Sequence, residues 1–150
     1  MADFLHLDNE GTLTAIHVKA AKNNTPERRI AVTRFEQVVS QAEKNIGMLD
    51  NNVLIDHLNG TNGAACRQGR RTDSTKFIEQ LATRVANDRT KVLIIQPHLL
   101  EAVYDQARAA TDAGTPDRNA KSLMLLDHLL HSTRRTVIAR WDDLTVIGCA

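Results

Sequence analysis

The sequence predicts an α/β protein with a mixed central β-sheet flanked by helices, and three patterns of apolar residues support this prediction. Two short strand-like runs open the chain, and two more, at residues 136–141 and 144–149, close it. Between them, segments with helical periodicity surround a continuous apolar run at residues 91–97. The predicted order is strand, strand, helix, helix, strand, helix, helix, strand, strand. At 150 residues, the chain is expected to form a single domain.

The first two strands are predicted to form a β-hairpin. The apolar residues of the first strand are followed by the segment 8–11, Asp-Asn-Glu-Gly, in which Asn and Gly favour the positive φ of a tight turn. Residues then alternate from 13 to 20, so that Leu13, His17 and Lys19 share one face of the second strand.

The helices and the middle strand follow from periodicity and capping residues. Residues 33–49 place apolar side chains at helical spacing, with Thr33 as N-cap and Glu36 three residues later. Further helices are predicted at residues 75–87, 98–113 and 121–134. The run 91–97 has apolar residues on both sides, so we expect an interior strand that is buried on both faces, with the helix at 33–49 packed across one of them. The glycine-containing stretch 59–73 is expected to be a mobile loop.

Composition excludes several classes of protein. Nineteen Lys and Arg residues stand against 18 Asp and Glu residues, so affinity for a polyanion has to come from a local patch of charge. Cys66 and Cys149 lie far apart, which argues against a disulfide framework or a structural zinc site. The sequence has no signal-peptide pattern, no transmembrane run and no nucleotide-binding or esterase motif. A cytoplasmic protein without a membrane partner is expected.

Three polar side chains are expected to meet in the first hairpin. Asp3 precedes the first strand, and pairing of the two strands would bring it beside His17 and Lys19. One carboxylate, supplemented by a backbone carbonyl and water, can hold magnesium in phosphate chemistry. The ammonium group of a lysine on the same strand can orient a water molecule or neutralise charge that develops on a phosphate.

These residues resemble the motif of the PD-(D/E)XK superfamily, the restriction-endonuclease-like nucleases. That motif has an Asp, then a gap, then an acidic residue and a Lys two positions apart on the next strand. Asp3 matches the first acid and Lys19 the lysine, whereas His17 occupies the place of the usual Glu or Asp. Gln41, in the helix that follows, matches a glutamine found in several branches. The pattern is most similar to nuclease-like domains attached to bacterial helicases and defence proteins.

The resemblance implies roles for these residues and a substrate. Asp3 and His17 would hold Mg²⁺ or Mn²⁺, Lys19 and Gln41 would serve catalysis, and DNA would be cleaved. The superfamily core normally begins with a helix and a strand that this sequence lacks, since only two residues precede Asp3. The resemblance therefore implies that residues 1–150 are a nuclease-like domain from the C-terminal part of a longer protein. A helicase, the upstream region of the same polypeptide or a second copy of the chain is the expected partner.

A basic group in the predicted loop is a candidate for contact with nucleic acid. Arg67, Arg70 and Arg71 would bind phosphates and so position a duplex without reading its sequence, or would form an ordinary solvated loop. Three hypotheses remain open: a divalent-metal-dependent endonuclease, a catalytically inactive DNA- or protein-binding module of the same fold, and an unrelated α/β interaction domain.

Overall fold

A computed structural model describes residues 1–19, 29–61, 63–67, 69–85, 87–115 and 117–149 of the chain. Its elements, in chain order, are β1 (Phe4–Leu7), β2 (Leu13–Val18), α1 (Val32–Asn45), a 3₁₀ turn (Ile46–Leu49), α2 (Asn51–Asn59), β3 (Ala65–Arg67), β4 (Arg70–Thr72), α3 (Ser74–Ala82), β5 (Thr90–Leu100), α4 (Glu101–Asp112), α5 (Arg118–Ile138) and β6 (Asp143–Cys149). Within these residues, no helix is both long and apolar enough to cross a membrane.

The main sheet has four strands in the order β1-β2-β5-β6. β1 runs antiparallel to β2, while β2, β5 and β6 run parallel to one another. β3 and β4 pair with each other as a separate antiparallel hairpin. The α/β class, the mixed sheet, the N-terminal hairpin and the interior position of β5 are therefore confirmed.

The turn of the first hairpin is closed by Asp8. Its carboxylate oxygen Oδ1 accepts the backbone N–H groups of Thr12 at 2.8 Å and of Glu10 at 2.9 Å. Gly11 adopts a φ of 84°, the left-handed conformation that glycine reaches without strain. The bond from Thr12 is the main reason that the pKa of Asp8 lies below its usual value. The segment Asp-Asn-Glu-Gly thus forms the turn that its sequence predicts.

The helices pack on the face of the sheet that carries Ala15 and His17. The central cluster joins α1, α5 and the strands through small and branched side chains: Ala15, Val38, Val39, Ala42, Val92, Ile94, Val137 and Leu144. A second cluster packs α4 and α5 against Phe35 of α1, and a third packs α2 and α3 against Leu13 of β2. All the sheet residues in these clusters belong to this one face.

The opposite face of the sheet contributes no residue to any of the three clusters. Leu93 and Ile95 of β5 are only half-buried, and Phe4 and Ile147 on the outer strands are exposed. The expectation that β5 is buried on both faces is therefore wrong. An apolar run identifies a strand but does not show that a second layer covers it.

Three segments differ from the sequence-based expectations. Residues 59–73 contain the β3–β4 hairpin, where a loop without regular structure was expected. Residues 51–59 form α2, whose N-terminus is capped by the Asp50 carboxylate. The expected strand at 136–141 does not form, because residues 136–138 belong to α5, which continues to Ile138, where Val137 is fully buried in the central cluster. There, tertiary packing outweighs the β-propensity of Thr, Val and Ile.

Candidate active site at the first hairpin

Asp3 extends the pairing of the first hairpin by one step through its side chain. Its backbone N–H donates to the carbonyl oxygen of Ile16 at 3.0 Å, and its carboxylate oxygen Oδ2 accepts the N–H of Val18 at 2.8 Å. The side chain thus takes the place of a backbone carbonyl as hydrogen-bond acceptor, just before the start of β1. These two bonds hold an exposed carboxylate beside the carboxyl end of β2.

His17 lies within β2, paired with Ile94 of β5, and only 1% of it is exposed. The ring atom Nδ1 is buried and has no hydrogen-bond partner among the described residues. Burial is the main cause that lowers the pKa of His17, and the N-terminal ammonium group lowers it further, whereas the negative charge of Asp3 raises it. The imidazole is therefore neutral at pH 7, the form that can ligate a metal ion.

Lys19 follows β2 directly and lies beside the middle of β5. Its backbone N–H donates to the carbonyl oxygen of Ile95 at 3.1 Å, which continues the parallel register that pairs His17 with Ile94. The same register places Lys19 opposite Gln96. Gln96 is fully buried although its side chain is polar. Ligands of α/β sheets commonly bind beyond the carboxyl ends of parallel strands. Lys19 lies just beyond the carboxyl end of β2, whereas Gln96 lies within β5, which continues to Leu100.

Sequence analysis missed Gln96. The signal that could have found it is a single amide residue at the end of an otherwise apolar strand, immediately before a proline. A buried amide is costly without hydrogen bonds, so its place in such a strand points to a structural or functional requirement.

Gln41 lies on α1 with an exposed side chain. Its Nε2 group donates to the carbonyl oxygen of Met1 at 3.4 Å, a long and therefore weak hydrogen bond. Met1 is two residues from Asp3, so Gln41 lies close to the chain segment that carries the carboxylate. This hydrogen bond is to the N-terminal segment rather than to His17 or Lys19.

The donor set around the hairpin is small. Among the described residues, no group of three or more His, Cys, Asp and Glu side chains is placed to hold a metal ion. Asp3 and His17 supply one oxygen and one nitrogen donor, so backbone carbonyls, water or substrate would have to complete a coordination sphere. The buried Nδ1 of His17 has no hydrogen-bond partner in the part of the chain that the structure describes, and it fits such a role because ligation would give it a partner.

The basic residues of the predicted loop lie on the β3–β4 hairpin. Arg67 pairs with Arg70 next to its turn, and Arg71 pairs with Cys66. The side chains of Arg70 and Arg71 are exposed, while that of Arg67 lies outside the description. Gly69, in the turn, has a φ of 75°. An antiparallel hairpin thus presents these arginines on a defined backbone, separate from the main sheet.

No family model matches this chain, and no curated protein and no solved structure matches it either.

Proposed function

We propose that this chain is a nuclease-like domain that uses a divalent cation to hydrolyse phosphodiester bonds in DNA. The observation that carries the proposal is the hairpin contact between Asp3 and β2, which holds a carboxylate beside a neutral, buried histidine whose Nδ1 has no hydrogen-bond partner among the described residues. The resemblance of Asp3, His17, Lys19 and Gln41 to the restriction-endonuclease-like motif supports the same activity.

In this proposal Asp3 and His17 would hold Mg²⁺ or Mn²⁺. When bound, the ion would act as a Lewis acid on the phosphate and would lower the pKa of a bound water molecule. Lys19 would stabilise negative charge on the phosphate or orient the attacking water through its ammonium group. Gln41 would support the N-terminal segment that carries Asp3.

The proposal also assigns the DNA contact and the partner. Arg67, Arg70 and Arg71 would bind the phosphate backbone, which gives affinity without sequence specificity and makes it strongly dependent on salt. The helix and strand that complete the superfamily core would come from the upstream region of a longer polypeptide, from an associated helicase or from a second copy.

A second candidate function is a catalytically inactive DNA- or protein-binding module of the same fold. Two observations favour it: Oδ2 of Asp3 is already occupied by the N–H of Val18, and the described residues supply no third acidic or imidazole ligand. In this case the hairpin residues are structural, and the basic β3–β4 hairpin carries the binding.

One experiment separates the two functions. Manganese binding is measured by calorimetry, DNA binding by mobility shift without added metal, and plasmid nicking with Mn²⁺ and with Mg²⁺, for the parent chain, Asp3→Asn and Lys19→Ala. Asp56→Asn on α2 and Lys121→Ala on α5 are matched controls, since both are exposed residues away from the hairpin.

For a nuclease, Asp3→Asn abolishes metal binding and nicking, Lys19→Ala abolishes nicking alone, and the controls keep both. We expect Mn²⁺ to support more cleavage than Mg²⁺, because a neutral imidazole is a softer donor than a carboxylate. DNA binding that needs no metal, without nicking, would establish the second function. A parent chain that neither binds Mn²⁺ nor binds or nicks DNA contradicts the nuclease and the DNA-binding form of the second function.

A further inference from the structure

The face of the main sheet opposite the helices is ordered into three rows by the strand registers. We call it the open face. The first row is polar and contains His6, Thr14, Lys91 and Asp143. The second row contains Phe4, Ile16, Leu93 and Thr145, and the third contains Val18, Ile95 and Ile147. The open face therefore has a polar end and a larger apolar part.

The apolar part of the open face is accessible. Phe4 is 62% exposed and Ile147 is 46% exposed, at opposite edges of the sheet. The four residues between them, Ile16, Val18, Leu93 and Ile95, are only half-buried. Parallel strands are normally covered on both faces, and contiguous apolar patches on a protein surface usually mark an interaction site.

The size of the open face indicates the strength of an association through it. With strands about 4.8 Å apart and about 3.3 Å per residue, four strands and three rows cover roughly 20 Å by 20 Å. This is smaller than the roughly 800 Å² that each partner buries in a standard stable interface. A complex through this face alone therefore belongs to the weak, reversible class.

We propose that the open face is a homodimer interface, in which two copies pack sheet against sheet about a two-fold axis that is parallel to the strands and lies between β2 and β5. This axis places the polar row of one copy over the polar row of the other. Ile16 then lies over Leu93 of the second copy, Phe4 over Thr145, and His6 over Asp143. Two aligned sheets would pack about 10 Å apart, as in β-sandwiches.

The alternative axis, perpendicular to the strands, is disfavoured by the same registers. It would lay the polar row over the row of Val18, Ile95 and Ile147, and so would bury the ammonium group of Lys91 against apolar side chains. The parallel axis avoids this, and it also brings a histidine towards a carboxylate at each end of the polar row. Asp143 keeps its bond to Arg134 of α5, whose Nη2 lies 3.1 Å from the carboxylate.

Two further observations, besides the order of polar and apolar rows, favour a second copy of the chain as the partner of this face. The formal net charge of the chain is only +1, so two copies meet without strong repulsion. The two-fold axis parallel to the strands also places like rows over each other, which makes the open face complementary to itself, as isologous interfaces require.

The first test is sedimentation velocity from about 1 µM to about 1 mM. We expect a reversible dimer of twice 16.7 kDa, with a dissociation constant in this range. Ile95→Lys and Thr145→Lys place a charge in the interface of each copy and are expected to weaken the dimer roughly 100-fold or more. Thr145 is exposed, so its substitution keeps the test valid if Ile95→Lys impairs folding. Leu125→Lys, at a residue of α5 that is 63% exposed, is the matched control and should leave the dimer unchanged.

The second test is cross-linking in a background with Cys66 and Cys149 replaced by serine. His6→Cys and Asp143→Cys chains are mixed and treated with a short bismaleimide. The proposal requires a product that joins the two different chains and is absent when Thr145→Lys is present in both. A parent chain that is monomeric throughout, a dimer that Leu125→Lys weakens as much as Thr145→Lys, or a dimer without this cross-link would overturn the proposal.

Discussion

The carboxylate of Asp3 accepts the backbone N–H of Val18 at 2.8 Å, so the side chain of one strand completes the backbone pairing of the next. The bond links the proposed chemistry to folding, because the residue proposed to ligate a metal ion also fixes the end of the first hairpin. Substitutions at Asp3 are therefore expected to change stability as well as metal binding, and the two effects can be separated by the choice of side chain.

Asp3→Ala is expected to destabilise the fold by about 1 kcal/mol, since the N–H of Val18 loses its protein acceptor but can be hydrated. Asp3→Asn keeps a carbonyl oxygen as acceptor and should cost about half as much, while it removes the negative charge that a cation needs. Urea unfolding of both variants, with Asp56→Ala as control, measures the difference. Equal stability of Asp3→Ala and the parent chain would show that the bond does not support the hairpin.

Arg84 is a second residue whose side chain stabilises the fold around the hairpin through hydrogen bonds. Its guanidinium group donates to the carbonyl oxygen of Gly11 at 2.9 Å, to Oδ1 of Asn51 at 2.6 Å and to Oγ1 of Thr90 at 2.8 Å. It therefore ties the hairpin turn to the start of α2 and to the start of β5. Partial burial is the main cause that lowers the pKa of Arg84, and the charges of Asp88 and Asp142 oppose this effect.

Arg84→Lys is expected to destabilise the fold by roughly 2–3 kcal/mol, because an ammonium group cannot reach these acceptors in the fork geometry of a guanidinium. Arg89→Lys, at an exposed position, is the control and should change stability by less than about 0.5 kcal/mol. Thermal and urea unfolding measure both. If the two substitutions had the same small effect, the bonds of Arg84 would contribute nothing measurable.

These contacts show why sequence analysis predicted one part of the molecule and missed another. The first hairpin and β5 are determined by short-range patterns, namely a turn segment between two alternating runs and a continuous apolar run. The bond between Arg84 and Gly11 joins residues 73 positions apart, which no local pattern reveals. The β3–β4 hairpin was missed because its glycines and arginines are also typical of an irregular loop.

The sequence could likewise predict some features of the candidate site but not others. That Asp3 lies close to β2 follows from hairpin pairing, so the sequence alone could predict it. The burial of His17 depends on how α1 packs across the sheet, and the position of Gln96 depends on the parallel register between β2 and β5, which are far apart in the chain. Sequence analysis also did not predict the open face, because an apolar run is the same whether a strand is covered on one face or on two.

Gly148 allows a test of how closely β5 and β6 approach at their carboxyl ends. A Cβ atom at Gly148 would lie 2.7 Å from the carbonyl oxygen of Leu99, a backbone atom that cannot move without shifting the strand. Gly148→Ala is therefore expected to destabilise the fold by about 1–3 kcal/mol. Gly63→Ala is a suitable control, because no atom lies within 4 Å of its added Cβ. Similar stability of the two variants in urea unfolding would contradict the close approach.

The stability of the fold is expected to depend on pH through His17. Burial lowers the pKa of His17 in the folded chain below the unperturbed value of 6.5. Between the lowered value and 6.5 the unfolded chain binds more protons, so stability rises with pH in this window. The contribution of neutral His17 to the free energy of unfolding is fully present above pH 6.5. It is lost as the pH falls towards the pKa of His17 in the folded chain. The carboxyl groups of Asp8, Asp73 and Asp143, whose pKa values are lowered from 3.8, act at more acidic pH and do not obscure this window.

His17→Met is the variant that tests this dependence, because it keeps a buried side chain of similar size and removes both the titrating group and the unpaired Nδ1. We expect its free energy of unfolding to change less between pH 7.5 and pH 5 than that of the parent chain, by about 1.4 kcal/mol for each unit by which folding lowers the pKa of His17. Urea unfolding at several pH values, without added metal, measures this difference. His131→Met, at an exposed position on α5, is the matched control for the removal of an imidazole elsewhere. A parent chain whose stability is constant from pH 7.5 to 5, or a His17→Met variant with the same slope as the parent, would show that folding does not lower the pKa of His17.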